Sequence, residues 1–328
     1  MPVPLSILDL APVRRGQTPA ESFAASVALA RFAEAAGYRR VWYAEHHNMP
    51  SIASSATSVL IAHVAAHTER IRLGAGGVML PNHAPLVIAE QFGTLAELHP
   101  GRIDLGVGRA PGTDRTTMHA LRRDHTAAED FPNDVLELQG YLDDESRVPG
   151  VHAHPGRGTK VPLYILGSSL FGAQLAARLG LPYAFASHFA PAALQAAVAV
   201  YRREFQPSAQ LAEPYVIAGV NVIAADSEAD AADQFQRALR HRVRALARPG
   251  VRLTDEQADA VLGSPEGQQI QQMAVYSAVG RPHDVHDYLE AFAKHADADE
   301  LIVAFQSPTA PARLRSAELV AEVLLTPR

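Results

Sequence analysis

Residues 41–50 read VWYAEHHNMP, and three ionisable side chains, Glu45, His46 and His47, follow one another at the end of an apolar run. Two kinds of chemistry suit such a group. Adjacent histidines beside a carboxylate can ligate a divalent metal. A single histidine, whose ordinary pKa is about 6.5, can move protons at neutral pH. Side chains of an extended chain alternate faces, so Glu45 and His47 are expected to turn away from His46. His46 is then the candidate general acid/base, and Glu45 a structural group.

Other chemistry-bearing residues also end apolar runs. Gly167-Ser168-Ser169 closes one run and opens a helical pattern. Free N–H groups and a partial positive charge make a helix start an anion site, though serines there also serve as plain caps. GVGRAPG (106–112) is one residue too long for a dinucleotide fingerprint, and no second parallel strand with a terminal acid follows it, which excludes a Rossmann site. Its Arg109 suits a bidentate phosphate contact, or an ion pair with Asp104 or Asp114. Gly76-Gly77 marks either a bulge or the close approach of a flat ring. His152 and His154 sit in a Pro/Gly-rich stretch and read as solvated loop histidines. A metal-dependent hydrolase built on Glu45, His46 and His47 needs ligands at further strand ends. His188 and Asp9 are available, but Gly, Arg, Ser and Gln end the others, so no metal is expected.

What must position these residues is a repeating frame. Strand-like runs alternate with helical patterns: LSILDLAP, RRVWYAE, IRLGAGGVML, RIDLGVG, PLYILG, PYAFASHF, PYVIAGVNVIAA and DELIVAFQS, eight in all. Helix signals separate them. One example is Thr18-Pro19-Ala20-Glu21, a capping box with proline at the first helical position, stopped by Gly37. Eight such units predict an α/β fold, a (β/α)8 TIM barrel, whose chemistry gathers at the C-terminal ends of the strands. A doubly wound open sheet is the competitor. The rhythm breaks twice, which predicts insertions after strands 4 and 7 (about 110–160 and 227–275) within a single domain spanning 1–328. Both insertions are expected to frame the substrate entrance.

Composition narrows the class. The 328 residues are 48% hydrophobic and 20% charged, ample for a large core. A formal net charge of −6 argues against nucleic-acid binding. With no cysteine there is no disulfide, thiolate nucleophile or iron–sulfur cluster. The apolar runs are too short to cross a membrane, and the first residues lack the basic segment of a signal peptide, so a cytoplasmic location is expected.

Five stretches in family order, AEHH (44–47), GAGGVMLPNHAPLVIAEQFGTL (74–95), HPGRIDLGVGRAPGTD (99–114), ILGSSLFGAQLAARLGLPYAFASHF (165–189) and ARLRSAELVAEVL (312–324), resemble the bacterial luciferase-like flavin-dependent monooxygenases over nearly the whole chain. The likeness is to the uncharacterised luciferase-like oxidoreductases rather than to the light-emitting subunits. The resemblance implies a TIM barrel binding FMN in its reduced form. Arg109 would contact the flavin phosphate, with Gly167, Ser168 and Ser169 at the phosphate-binding helix. Gly76 and Gly77 would pack on the isoalloxazine ring, and His46 would be the catalytic histidine. Gly108 stands where the light-emitting enzymes carry a reactive cysteine, which argues against a light reaction.

The implied reaction uses reduced FMN and O2 to oxygenate a small organic substrate through a C4a-peroxyflavin. No NAD(P)H fingerprint is visible, so a separate NAD(P)H:flavin reductase is expected to supply the cofactor. A homodimer is implied, with helices near 54–68 and 85–98 as its interface. Two alternatives stay open: an F420-dependent oxidoreductase of the same fold, and a flavin-binding protein without turnover.

Overall fold

The computed structural model describes residues 3–14, 16–110, 113–247 and 251–325. Its strands are β1 (Leu5–Asp9), β2 (Arg40–Tyr43), β3 (Arg72–Met79), β4 (Ile103–Gly108), β5 (Leu163–Gly167), β6 (Tyr183–Phe185), β7 (Val216–Ala224), β8 (Ser277–Gly280) and β9 (Glu300–Phe305). The order β6-β5-β4-β3-β2-β1-β9-β7 returns to β6, and every pairing is parallel. Eight strands therefore close a barrel, and they are the eight runs expected from sequence. β8 was not among them. It pairs outside the ring with Asn221–Ala224, the upper half of β7. Its four residues, SAVG, carry too short a pattern to announce a strand, and the extended edge of β7 supplies the template.

The helices are α1 (Pro19–Ala36), α2 (Thr57–Ala65), α3 (Pro85–Leu98), α4 (Arg115–Ala120), α5 (Phe131–Asp143), α6 (Leu170–Leu179), α7 (Leu194–Glu204), α8 (Glu228–Arg242), α9 (Asp255–Leu262), α10 (Pro265–Gln272), α11 (Pro282–His295) and α12 (Ala310–Leu324). The Thr18 capping box forms with Glu21, and Gly37 ends α1 with φ 88°. Part of the stretch expected as the first insertion belongs to the ring: α5 packs against α3 and buries Phe131, Val135 and Leu138. The irregular segments are those before and after it. In the second insertion, α8, α9 and α10 bury their own small apolar cluster around Leu239, Val243, Leu262 and Ile270. No helix among the described residues is long and apolar enough to cross a membrane.

Alternation along the strands stacks the barrel interior in layers. At the bottom, Arg40 donates to Asp104 (2.8 Å) and Glu300 (3.1 Å), and Ser6 and Tyr215 also donate to Glu300. Above them Leu8, Trp42, Tyr164, Ile217 and Ile302 pack as one inner apolar cluster. Gly76 and Gly219 also lie here, each packed so closely that a side chain would collide with its neighbours. A Cβ on Gly76 would stand 2.9 Å from both Leu8 and Trp42.

Candidate active site

His46 continues the inward face of Trp42 and Ala44. The strand ladder extends past Tyr43 because Ala44 N–H donates to the Asp9 carbonyl and Glu45 N–H to the Gly77 carbonyl. His46 Nδ1 is buried and has no hydrogen-bond partner among the described residues. Burial lowers the imidazole pKa, the Glu45 charge opposes this, and His47 adds to the lowering. The net effect favours the neutral imidazole.

Glu45 and His47 do turn away from His46, and they meet each other. Glu45 Oε1 accepts from His47 Nε2 (2.7 Å) and from His83 Nε2 (2.8 Å), while Oε2 accepts from the Met79 N–H (3.2 Å). Burial pushes the Glu45 carboxyl up, but the hydrogen bonds from His83 and His47 outweigh it and hold it below the ordinary range. The ligand atoms of Glu45, His47 and His83 lie within 4.8 Å of one another, a spacing that could hold a metal ion. The carboxylate accepts from three donors, and these contacts clasp the ends of β2 and β3 together. His83 was missed in the sequence. It follows the short 3-10 turn Leu80–Asn82, and nothing in its spacing announces that it folds back to Glu45.

Gly76-Gly77 is a cis peptide, and the β3–β4 register shifts between Ala75 and Val78. Of the two expectations for this pair, the bulge is present. A Cβ on Gly77 would lie 2.8 Å from the Gly106 carbonyl.

The Arg109 guanidinium stacks 4.2 Å above the Phe171 ring in the first turn of α6. The ion pairs open to it by sequence do not form. Asp104 is taken by Arg40 and Arg72 at the other end of the barrel, and Asp114 caps α4 and meets Asn48. Ser168 and Ser169 are exposed. Ser169 occupies the N-cap of α6, but its hydroxyl does not cap the helix. The alternative of serines acting only as caps is therefore not realised. Gly167 leads into this turn from β5, next to Tyr183, whose hydroxyl donates to the Ser169 carbonyl. A cation without a carboxylate, open N–H groups and uncommitted hydroxyls converge here. Phe171 was not foreseen, because its role depends on which neighbour α6 meets. Pro111 and Gly112, the tail of the glycine-rich run, lie outside the described residues.

Asp9, at the end of β1, serves structure. Asp9 accepts from Ser26, Arg313 and the Ala11 N–H. The rings of His152 and His154 lie 6.2 Å apart between centroids, tilted by 57°.

A closed parallel barrel with helices between its strands, and with polar groups gathered at the C-terminal mouth, defines a TIM-barrel protein. A family model described as luciferase-like monooxygenase matches residues 3–299. A luciferase-like monooxygenase of Escherichia coli is 50% identical over 329 residues, covering 98% of this chain and 97% of its own. The crystal structure of apo-MsnO8 superposes with a TM-score of 0.89 at 38% identity, covering 99% of this chain and all of that one. This chain belongs to the luciferase-like monooxygenase family. Among more distant structures sharing the fold are the oxygenating constituent of the Pseudomonas putida 3,6-diketocamphane monooxygenase in complex with FMN (16% identity, TM-score 0.72) and an F420-dependent secondary alcohol dehydrogenase (15%, TM-score 0.71). They cover 99% and 98% of this chain, and nearly all of their own.

Proposed function

We propose that this protein is a flavin-dependent monooxygenase that uses reduced FMN and O2 to oxygenate a small organic substrate. The observation that carries the reading is Arg109, free of any carboxylate among the described residues, beside the uncapped start of α6. A phosphate monoester would take the guanidinium, the Ser168 and Ser169 hydroxyls and the helix N–H groups together. The glycine surface at Gly76-Gly77 would accept the flat ring.

When bound, reduced FMN supplies the electrons and the position at which O2 is activated. The protein does the rest. Trp42 and Leu8 close the floor beneath the glycines and keep water out from below. The Glu45 clasp fixes the turn that carries His46. The neutral imidazole then takes a proton at its free Nδ1 and returns it within the cycle.

Absorbance and mass analysis of the purified protein with added FMN and F420 tests the cofactor. Retained FMN supports the reading, and retained F420 with FMN excluded moves the protein to an F420-dependent oxidoreductase. Substrate-stimulated oxygen uptake separates an enzyme from a flavin carrier. In the same reading a separate NAD(P)H:flavin reductase supplies the cofactor in the cytoplasm, and the working unit is a homodimer. Val59 on α2 and Val87 and Leu98 on α3 are exposed apolar side chains that a second subunit would cover. Light scattering at several concentrations measures that state.

A further inference from the structure

Four carboxylates are buried among the described residues: Asp9, Glu45, Asp104 and Glu300. Three of them face guanidinium groups. Arg313 pairs with Asp9, Arg40 and Arg72 with Asp104, and Arg40 with Glu300. Glu45 differs. It is 1% exposed, and its ion-pair partners among the described residues are the imidazoles of His47 and His83, with no lysine or arginine. A neutral imidazole gives a hydrogen bond but no full charge, and a buried carboxylate is costly without a cation beside it.

The same three side chains form a ligand set. Glu45 Oε1, His47 Nε2 and His83 Nε2 converge, all within 4.8 Å of one another. Glu45 Oε2 is held by the Met79 N–H, which fixes the carboxylate with Oε1 toward both rings, as outer hydrogen bonds orient metal ligands. The side chains of His47 and His83 are 18% and 29% exposed, so the set opens to solvent on their side.

Zinc bonds of about 2.0–2.1 Å at tetrahedral angles separate ligand atoms by about 3.3 Å, so the two rings need to swing outward by only about 0.5 Å. Each neutral ring then carries its proton on Nδ1 and presents the Nε2 lone pair. Two histidines, one carboxylate and an open position suit a zinc-type ion. The strand ends supply no third ligand, which is why the sequence predicts no metal. His83 supplies it from the turn after β3. We infer that Glu45, His47 and His83 bind one divalent transition-metal ion of the zinc type, with water in the fourth position. The ion answers the buried charge and pins the end of β2 to the turn after β3, on either side of His46 in the chain.

Zinc chloride is the probe, titrated calorimetrically into the untagged, full-length, flavin-free protein after chelator treatment. About one equivalent per chain is expected to bind, with a Kd of about 1 μM or tighter. Glu45→Gln and His83→Gln should each weaken binding at least about ten-fold. His63→Gln breaks the exposed His63–His67 pair on α2, whose rings lie 4.7 Å apart, and should leave the affinity unchanged. Should Glu45→Gln and His83→Gln unfold, the wild type decides: Zn2+ should slow diethylpyrocarbonate modification of His47 and His83, mapped by peptide mass. No zinc binding, an affinity that survives in folded Glu45→Gln and His83→Gln, an affinity lost in His63→Gln, or unprotected His47 and His83 overturns the site. Arg109 and the start of α6 take no part, so the result stands whether or not FMN binds.

Discussion

The two ends of the barrel interior hold charges in opposite ways. At the bottom, Arg40 is 1% exposed, and its guanidinium meets Asp104, Glu300 and Tyr164. Burial alone would lower the Arg40 pKa, but Asp104 and Glu300 raise it far more. At the mouth, Arg109 rests on an aromatic ring, Arg242 keeps a buried N–H unused, and His46 keeps a free nitrogen. The same residue types therefore mean different things. A charge met by buried carboxylates holds strands together, and one without a carboxylate is the kind of group a ligand can use.

Substitutions at the two ends should break that contrast in different assays. His46→Ala is expected to slow turnover by about 10²–10⁴-fold, the usual range for a proton-transfer group, with FMN binding unchanged. Equal turnover of the two proteins would remove His46 from the chemistry. Arg40→Met should cost about 3–5 kcal/mol of stability, since it strands two buried carboxylates, as denaturant unfolding would measure. Arg109→Ala should weaken FMN binding by about ten- to a hundred-fold, corresponding to about 1.5–3 kcal/mol for lost charge-assisted contacts. Its unfolding free energy should stay within about 0.5 kcal/mol of wild type, because no protein carboxylate loses a partner.

The smallest effect is on pH dependence. Burial, Arg242 and His46 hold the His188 pKa down to about 4, and His241 behaves similarly. As pH falls from about 6.5 toward 4, the unfolded chain takes up protons that the folded chain refuses, so stability is lost on acidification. The slope is at most about 1.4 kcal/mol per pH unit for each ring. His188→Asn should flatten it in thermal unfolding between pH 4.5 and 7.5, whereas a substitution at the ion-paired bottom, such as Arg40→Met, should lower stability across that range.

Much of the frame was legible because its rules are local. The Thr18–Glu21 capping box, the Gly37 stop and the eight βα repeats depend on neighbours a few residues apart, and all of them formed. Alternation correctly separated His46 from Glu45 and His47. The short β8 was not legible, because it exists only where β7 outgrows the ring. The position of α5 within the ring was obscured by the irregular chain on both sides of it.

The sequence by itself determined the barrel, the strand ends at which chemistry can occur, and the residue types waiting there, since periodicity and capping are properties of short stretches. Only the tertiary structure decided which of those residues are satisfied. Asp104 could have paired with Arg109, but it points down the barrel to Arg40 and Arg72. Glu45 found His83, 38 residues away, and Arg242 reached Asn221 from an inserted helix. Whether a charge is answered or left open depends on partners distant in the chain, which meet only when the barrel closes.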